Sequence, residues 1–284
     1  MQMSSSTRRV NGLNLHVVEA GPADGPLVIL LHGFPDFWWG WRRQVESLVG
    51  LGFRVVMPDQ RGYNLSDKPS GLDAYGVDTL AADVIGLADA YDSPTFRLAG
   101  HDWGGIVAWQ TAVRYPERVE CLVIMNAPHP DVWSLLGRRR LSQALRSAYI
   151  AFFQLPRLPE ALLKARNFTL LRSSLTRTSR PGAFTPEDVA RYAQAWAQPG
   201  ALTAMLNYYR ALRHKPGGPP ARILPATLLI WGTRDMFLEP AVAQASLKLC
   251  DCGEALFLDT ATHWVQLEEA EAVNAALARF FRAA

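Results

Sequence analysis

Ala99-Gly100-His101-Asp102-Trp103-Gly104-Gly105 joins an apolar run, Thr95 to Ala99, to a helical pattern, Ile106 to Tyr115, and so reads as a buried strand, a tight turn and a helix. Asp102 stands at the tip of that turn, in a small-x-nucleophile-x-small pattern whose central position usually holds serine or cysteine. Glycines at 100, 104 and 105 permit the strained backbone and close helix packing such a turn needs, and the carboxylate sits over a helix N-terminus. An aspartate held there can attack carbon and form an ester. Taken alone, the segment also fits an aspartate that merely caps the helix.

Two distant residues favour chemistry. Asp235 ends Ile230-Trp231-Gly232-Thr233-Arg234-Asp235, just past the apolar run Thr227 to Trp231, and His263 follows the run Ala255 to Leu258 within Ala261-Thr262-His263-Trp264. Nucleophile, acid and base then occur in the chain order that this kind of turn carries. Each falls where a strand ends, the edge at which open α/β sheets bind ligands, so the three are expected to converge.

Working outward, Leu27 to Leu31, Phe53 to Met57 and Leu122 to Met125 are further short apolar runs, as expected of parallel strands buried on both faces. Helical patterns cover Thr79 to Asp89, Ala241 to Leu249 and Ala270 to Phe281, while Val10 to Glu19 alternates like one antiparallel edge strand. This predicts an α/β fold, a doubly wound, mostly parallel sheet. The alternation breaks between about Pro130 and Pro220, where amphipathic helical patterns end in Pro216-Gly217-Gly218-Pro219-Pro220. Thr185 as cap, Pro186 in the first turn and then Glu187 and Asp188 mark one helix start there. The insertion leaves after Met125 and returns before Thr227, which places a helical cap at the strands' C-terminal edge, over Asp102. The expected division is core 1–130, cap 131–220 and core 221–284.

With 284 residues, 49% hydrophobic, the chain can bury a large core as one globular unit. Its start, Met1-Gln2-Met3-Ser4-Ser5-Ser6-Thr7-Arg8-Arg9, has no apolar run behind it, and no later stretch reaches the roughly 18–20 apolar residues of a membrane span. Cys121, Cys250 and Cys252 make no disulfide framework and no metal-ligand spacing, so a reducing cytoplasm is expected. Residues 131–220 hold 14 Lys or Arg against 4 Asp or Glu, in a chain of net charge +3. Most of these cations, among them Arg138-Arg139-Arg140, Arg172, Arg177 and Arg180, are expected to be solvated. The sharper reading is attraction of anionic amphiphiles or membrane surfaces. No nucleic-acid-binding motif is present.

His32-Gly33-Phe34-Pro35, the turn around Asp102, Trp231-Gly232-Thr233-Arg234-Asp235 and Thr262-His263-Trp264 together resemble the α/β-hydrolase superfamily and, within it, the epoxide hydrolases. Arg61 to Pro69, Tyr149 to Pro156 and Asn207 to Arg210 are similar to that family too, so the likeness spans nearly the whole chain. The resemblance implies a core sheet with a helical cap and addition of water to a small apolar epoxide, giving a vicinal diol, in a monomer or small homo-oligomer needing no cofactor or metal. It implies attack by Asp102, protonation of the epoxide oxygen by the cap tyrosines Tyr149 and Tyr209, and ester hydrolysis by water that His263 activates and Asp235 supports. The backbone N–H groups of Phe34 and Trp103 would take the oxyanion, and these two residues with the tyrosines would contact substrate. Tyr208 and Tyr209 lie about 100° apart on a helix, so only one should face Asp102, and the resemblance favours Tyr209. His32 and His101 are expected to be structural, and Pro35 is open to either isomer. Trp38, Trp39 and Trp41 are read as packing residues, one of them able to line the pocket. The rivals are a haloalkane dehalogenase using the same aspartate, with the Trp103 indole on the halide, and a binder that keeps the scaffold without turnover.

Overall fold

The computed structural model describes residues 2–133, 141–212 and 220–283. Eight strands form one sheet: β1 (Met3–Val10), β2 (Leu13–Ala20), β3 (Leu27–Leu31), β4 (Arg54–Pro58), β5 (Phe96–His101), β6 (Val119–Met125), β7 (Ala226–Gly232) and β8 (Gly253–Leu258). Their order is β1-β2-β4-β3-β5-β6-β7-β8, with β1 and β2 antiparallel to their neighbours and every other pairing parallel. Every residue of β3 is buried, as its unbroken apolar run requires once both faces are covered.

The expected single edge strand from Val10 to Glu19 is a hairpin instead. Asn11 and Gly12 both adopt left-handed backbone (φ 50° and 80°), the two-residue turn that Asn-Gly favours, and Val10 pairs with Leu13 across it. β1 is thus the edge and β2 lies inside it.

Helices α1 (Val45–Gly50), α2 (Val77–Asp89) and α3 (Trp103–Arg114) connect the first six strands. After β6, all the described regular structure up to β7 is helical: α4 (Leu141–Arg146), α5 (Ala148–Phe153), α6 (Leu158–Thr178), α7 (Pro186–Trp196) and α8 (Ala201–Ala211). Non-helical backbone at Ala165 to Phe168 breaks α6. α7 begins with the expected cap, strengthened to a reciprocal box in which Thr185 Oγ1 accepts from the Asp188 N–H and the Asp188 carboxylate from the Thr185 N–H. Arg138 to Arg140 and residues 216–219 of the expected exit segment lie outside the described residues. α9 (Pro240–Leu247), α10 (Val265–Glu268) and α11 (Ala270–Ala283) complete the chain.

The helical segment sits on the loops that follow β3 and β4. Trp196 Nε1 donates to the Pro35 carbonyl (2.7 Å), the Tyr192 hydroxyl to Asp36 Oδ1 (2.7 Å) and the Tyr208 hydroxyl to the Arg61 carbonyl (2.8 Å). β3 and β5 are neighbours from which the chain runs outward in opposite directions, so a crevice opens at their carboxyl ends.

Candidate active site

Asp102 occupies that crevice. Its backbone (φ 52°, ψ −122°) is in a region that a non-glycine residue adopts only under constraint, and the Asp102 N–H to Met125 carbonyl bond (3.1 Å) helps impose it. The side chain makes no capping bond to α3. Its Oδ1 instead accepts from the Phe34 N–H at 2.7 Å, so the capping alternative does not describe this residue. Two glycines make room: a Cβ on Gly104 would run into the carbonyls of Leu31 and His32, and one on Gly33 into the Asp102 carboxylate itself.

The three separated residues meet. His263 Nε2 lies 3.4 Å from Asp102 Oδ2, and His263 Nδ1 lies 2.7 Å from Asp235 Oδ2. Asp235 is buried and held by N–H groups of Phe237 (2.7 Å) and Leu238 (3.1 Å) on Oδ1. Burial alone would lower the His263 pKa, but the Asp235 charge and then Asp102 outweigh it and raise it to about 10. Burial likewise opposes the charge on Asp102, yet its bond and attraction to His263 and the Phe34 N–H leave its pKa below the usual carboxylate value. The resting site therefore favours an imidazolium between two carboxylates.

A cavity of about 130 Å³ opens onto Asp102, with Trp103, Tyr149, Tyr208, Tyr209 and Phe237 in its wall. Tyr149 and Tyr209 stand edge to face with centroids 5.9 Å apart, and Tyr209 also meets Trp103 (5.1 Å) and Phe34 (5.3 Å). Burial above all, with the Asp102 charge, pushes both phenol pKa values up, so both are protonated at neutral pH. Tyr208, whose hydroxyl is committed to Arg61, is the anchored member of its pair. Phe34 contributes its N–H while its ring packs on Phe153 and Tyr209 beside the cavity rather than in its wall. Trp103 is the first residue of α3, where an N–H has no acceptor within its own helix.

The chain matches the family model of the alpha/beta hydrolase fold over residues 26–270. It is 36% identical to epoxide hydrolase 4 of Mus musculus, over 96% of this chain and 77% of that one. The chain belongs to the epoxide hydrolase family of the α/β hydrolases. It is also 46% identical, over 96% of both chains, to the AB hydrolase superfamily protein YfhM of Bacillus subtilis (strain 168). Among solved structures, an epoxide hydrolase of Bacillus megaterium in complex with an inhibitor superposes with a TM-score of 0.88 at 32% identity, over 98% of this chain and 100% of that one.

Within this member of the family, His32 and His101 take the structural places expected of them. His32 Nδ1 bonds the Gly33 carbonyl (3.0 Å) and its Nε2 accepts from the Gln60 N–H (3.0 Å), while His101 Nε2 donates to the His263 carbonyl (2.8 Å). The Phe34–Pro35 peptide is cis. None of Trp38, Trp39 and Trp41 lines the cavity; Trp39 Nε1 binds Asp188 and Trp41 is fully buried. Sequence reasoning missed Asn126, which follows β6. Its Nδ2 donates to Asp235 Oδ2 (2.7 Å) and its Oδ1 accepts from the Gly232 N–H (2.9 Å), so it clamps the acid across two strands. A polar residue directly after the apolar run of β6 was the available signal. Among the described residues no group of three or more His, Cys, Asp or Glu could hold a metal ion, and no helix is long and apolar enough to cross a membrane.

Proposed function

We propose that the protein hydrolyses epoxides to vicinal diols through a covalent ester on Asp102. The observation that carries the reading is the Asp102 carboxylate held by the Phe34 N–H, facing His263 and opening into a cavity walled by two protonated phenols. The carboxylate attacks a ring carbon opposite the oxygen, while Tyr149 and Tyr209 hydrogen bond that oxygen and one supplies its proton. Ester formation removes the Asp102 charge. One cause of the high His263 pKa goes with it, so the imidazolium gives up its Nε2 proton, which restores the phenol that donated to the epoxide oxygen, and the neutral imidazole can act as base. Water activated by His263 then attacks the ester carbonyl, and the N–H groups of Phe34 and Trp103 receive the oxyanion, an interaction worth about 10²–10³ in rate per donor in comparable sites. Asp235, fixed by Asn126 and two backbone donors, holds His263 Nδ1–H and balances the imidazolium.

In this reading residues 131–220 form the cap over a core of 1–130 and 221–284, and the site needs no metal or cofactor. The substrate proposed is a small, apolar, neutral epoxide, because the charged residues in the cavity wall are Asp102 and Asp131, both acidic. An anionic amphiphile has its support in the charge count of the cap alone. Several of those cations are engaged: Arg210 with Glu160, Arg180 with Glu269, and Arg191 over the Trp39 ring. The three cysteines are free thiols, which suits the cytoplasm.

The test is diol formation from neutral aryl and alkyl epoxides beside 1-haloalkanes, with Asp102→Asn as control. Diol from the wild type alone is the expected result. Halide release without diol would move the assignment to a haloalkane dehalogenase with Trp103 on the halide, and turnover of neither class would leave the binder.

A further inference from the structure

A second histidine–aspartate pair, here aligned with a serine, crosses the antiparallel side of the sheet, on residues outside the cavity wall. Strand register creates it. Thr7 of β1 lies opposite His16 of β2, and the pairing of Val17 with Pro58 brings the next residue, Asp59, beside His16, where the Asp59 N–H donates to the His16 carbonyl (2.9 Å). Ser5 is two residues from Thr7, hence on the same face and diagonal to His16, within reach of its ring. Ser5 Oγ is 2.8 Å from His16 Nε2, and His16 Nδ1 is 2.6 Å from Asp59 Oδ2. Asp59 is fully buried; its Oδ2 also accepts from Asn64 Nδ2 (2.8 Å) and its Oδ1 from the Trp38 N–H (3.2 Å). A carboxylate fixed by these donors makes His16 Nδ1 the proton-bearing nitrogen. The lone pair on Nε2 is then aimed at the Ser5 hydroxyl, the same wiring by which Asp235 orients His263.

We propose that Ser5 is an activated hydroxyl, a second nucleophile independent of Asp102, that accepts acyl groups from activated carboxylic esters. Ser5 Oγ bonds to the ester carbonyl carbon as its proton passes to His16 Nε2. The tetrahedral adduct then expels the leaving oxygen, which takes that proton, so the products are O-acyl Ser5 and a phenol or alcohol. Ser5 is solvent-exposed, and among the described residues β1 is the outermost strand, so N–H groups on its outer edge are not taken up by a described strand and can serve the oxyanion.

The probe is p-nitrophenyl acetate, applied to the whole protein at neutral pH, with the acetylated positions and their rates read by peptide mass spectrometry. Ser4 is the internal control: it too is exposed but lies one residue away, on the opposite face, paired with Glu19. Ser5 is expected to acetylate about 10²-fold faster than Ser4 in the wild type, the lower end of what a positioned base supplies. That advantage should vanish in His16→Gln, a variant whose retained epoxide turnover shows it folded. Equal rates at Ser4 and Ser5 in the wild type, which needs no variant to interpret, would overturn the proposal, as would an undiminished Ser5 rate in folded His16→Gln.

Discussion

Asp36→Asn is expected to stabilise the protein above neutral pH and to flatten its stability profile below it. Asp36 is 2% exposed in the loop after β3. Burial pushes its pKa from 3.8 up to about 7, with Asp102 adding to the rise, against bonds from Tyr192 and Phe37 and the charge of Arg42. Because the folded value is the higher, the carboxyl favours the folded state fully below 3.8, and that advantage is lost as the pH climbs through about 7. A rise of roughly three units corresponds to about 4 kcal/mol across the window. Asparagine keeps the acceptor that Tyr192 and Phe37 use, both at 2.7 Å, and puts an NH2 where Oδ2 is buried without a partner. That unpaired donor costs about 1–3 kcal/mol, leaving the variant roughly 1–3 kcal/mol more stable than wild type above neutrality and less stable than wild type in acid. Urea unfolding from about pH 4 to about pH 8 measures both limbs. Parallel profiles for the two proteins would refute the reasoning, since they would mean that Asp36 binds no extra proton on folding.

Tyr149→Phe and Tyr209→Phe should each slow ester formation by about 10²-fold or more, measured by rapid quench with a neutral epoxide; full turnover in both would remove the phenols from the mechanism. Asn126→Ala strips a donor from Asp235 and leaves the Gly232 N–H unpaired, so an unfolding free energy lower by about 2–4 kcal/mol is expected, together with slower ester hydrolysis; unchanged values would deny the clamp its role. In single-turnover experiments ester hydrolysis should rise with pH through an apparent pKa below the resting His263 value of about 10, because the esterified Asp102 no longer favours the imidazolium. An apparent value at or above that of the resting site would contradict the step.

The turn around Asp102 was legible because its constraints are local: an apolar strand, closely spaced glycines and a helix start within a dozen residues. Asp235 and His263 could be placed at strand ends by the same reading, and the sheet's topology did the rest. The β1–β2 hairpin was missed: the alternation of Leu13, Leu15 and Val17 was carried back to Val10 across Asn11-Gly12, where the Asn-Gly pair and the slip of the apolar phase mark a turn. Asn126 escaped because its role exists only when β6 and β7 are paired, bringing together residues 109 apart in the chain. The Ser5, His16 and Asp59 alignment was hidden likewise, for its members come from β1, β2 and the residue that follows β4, brought together by a register that no single segment specifies. Tyr208 and Tyr209 could be separated by helical angle, but only the Arg61 carbonyl decides which hydroxyl is committed elsewhere.

The central claim is the ester on Asp102, and His263→Gln tests it most directly. With its base removed, that protein should take up one equivalent of a neutral epoxide, and peptide mass spectrometry should find the adduct on Asp102 with little or no diol released. Diol formed at the wild-type rate, or an adduct on any other residue, would contradict the account.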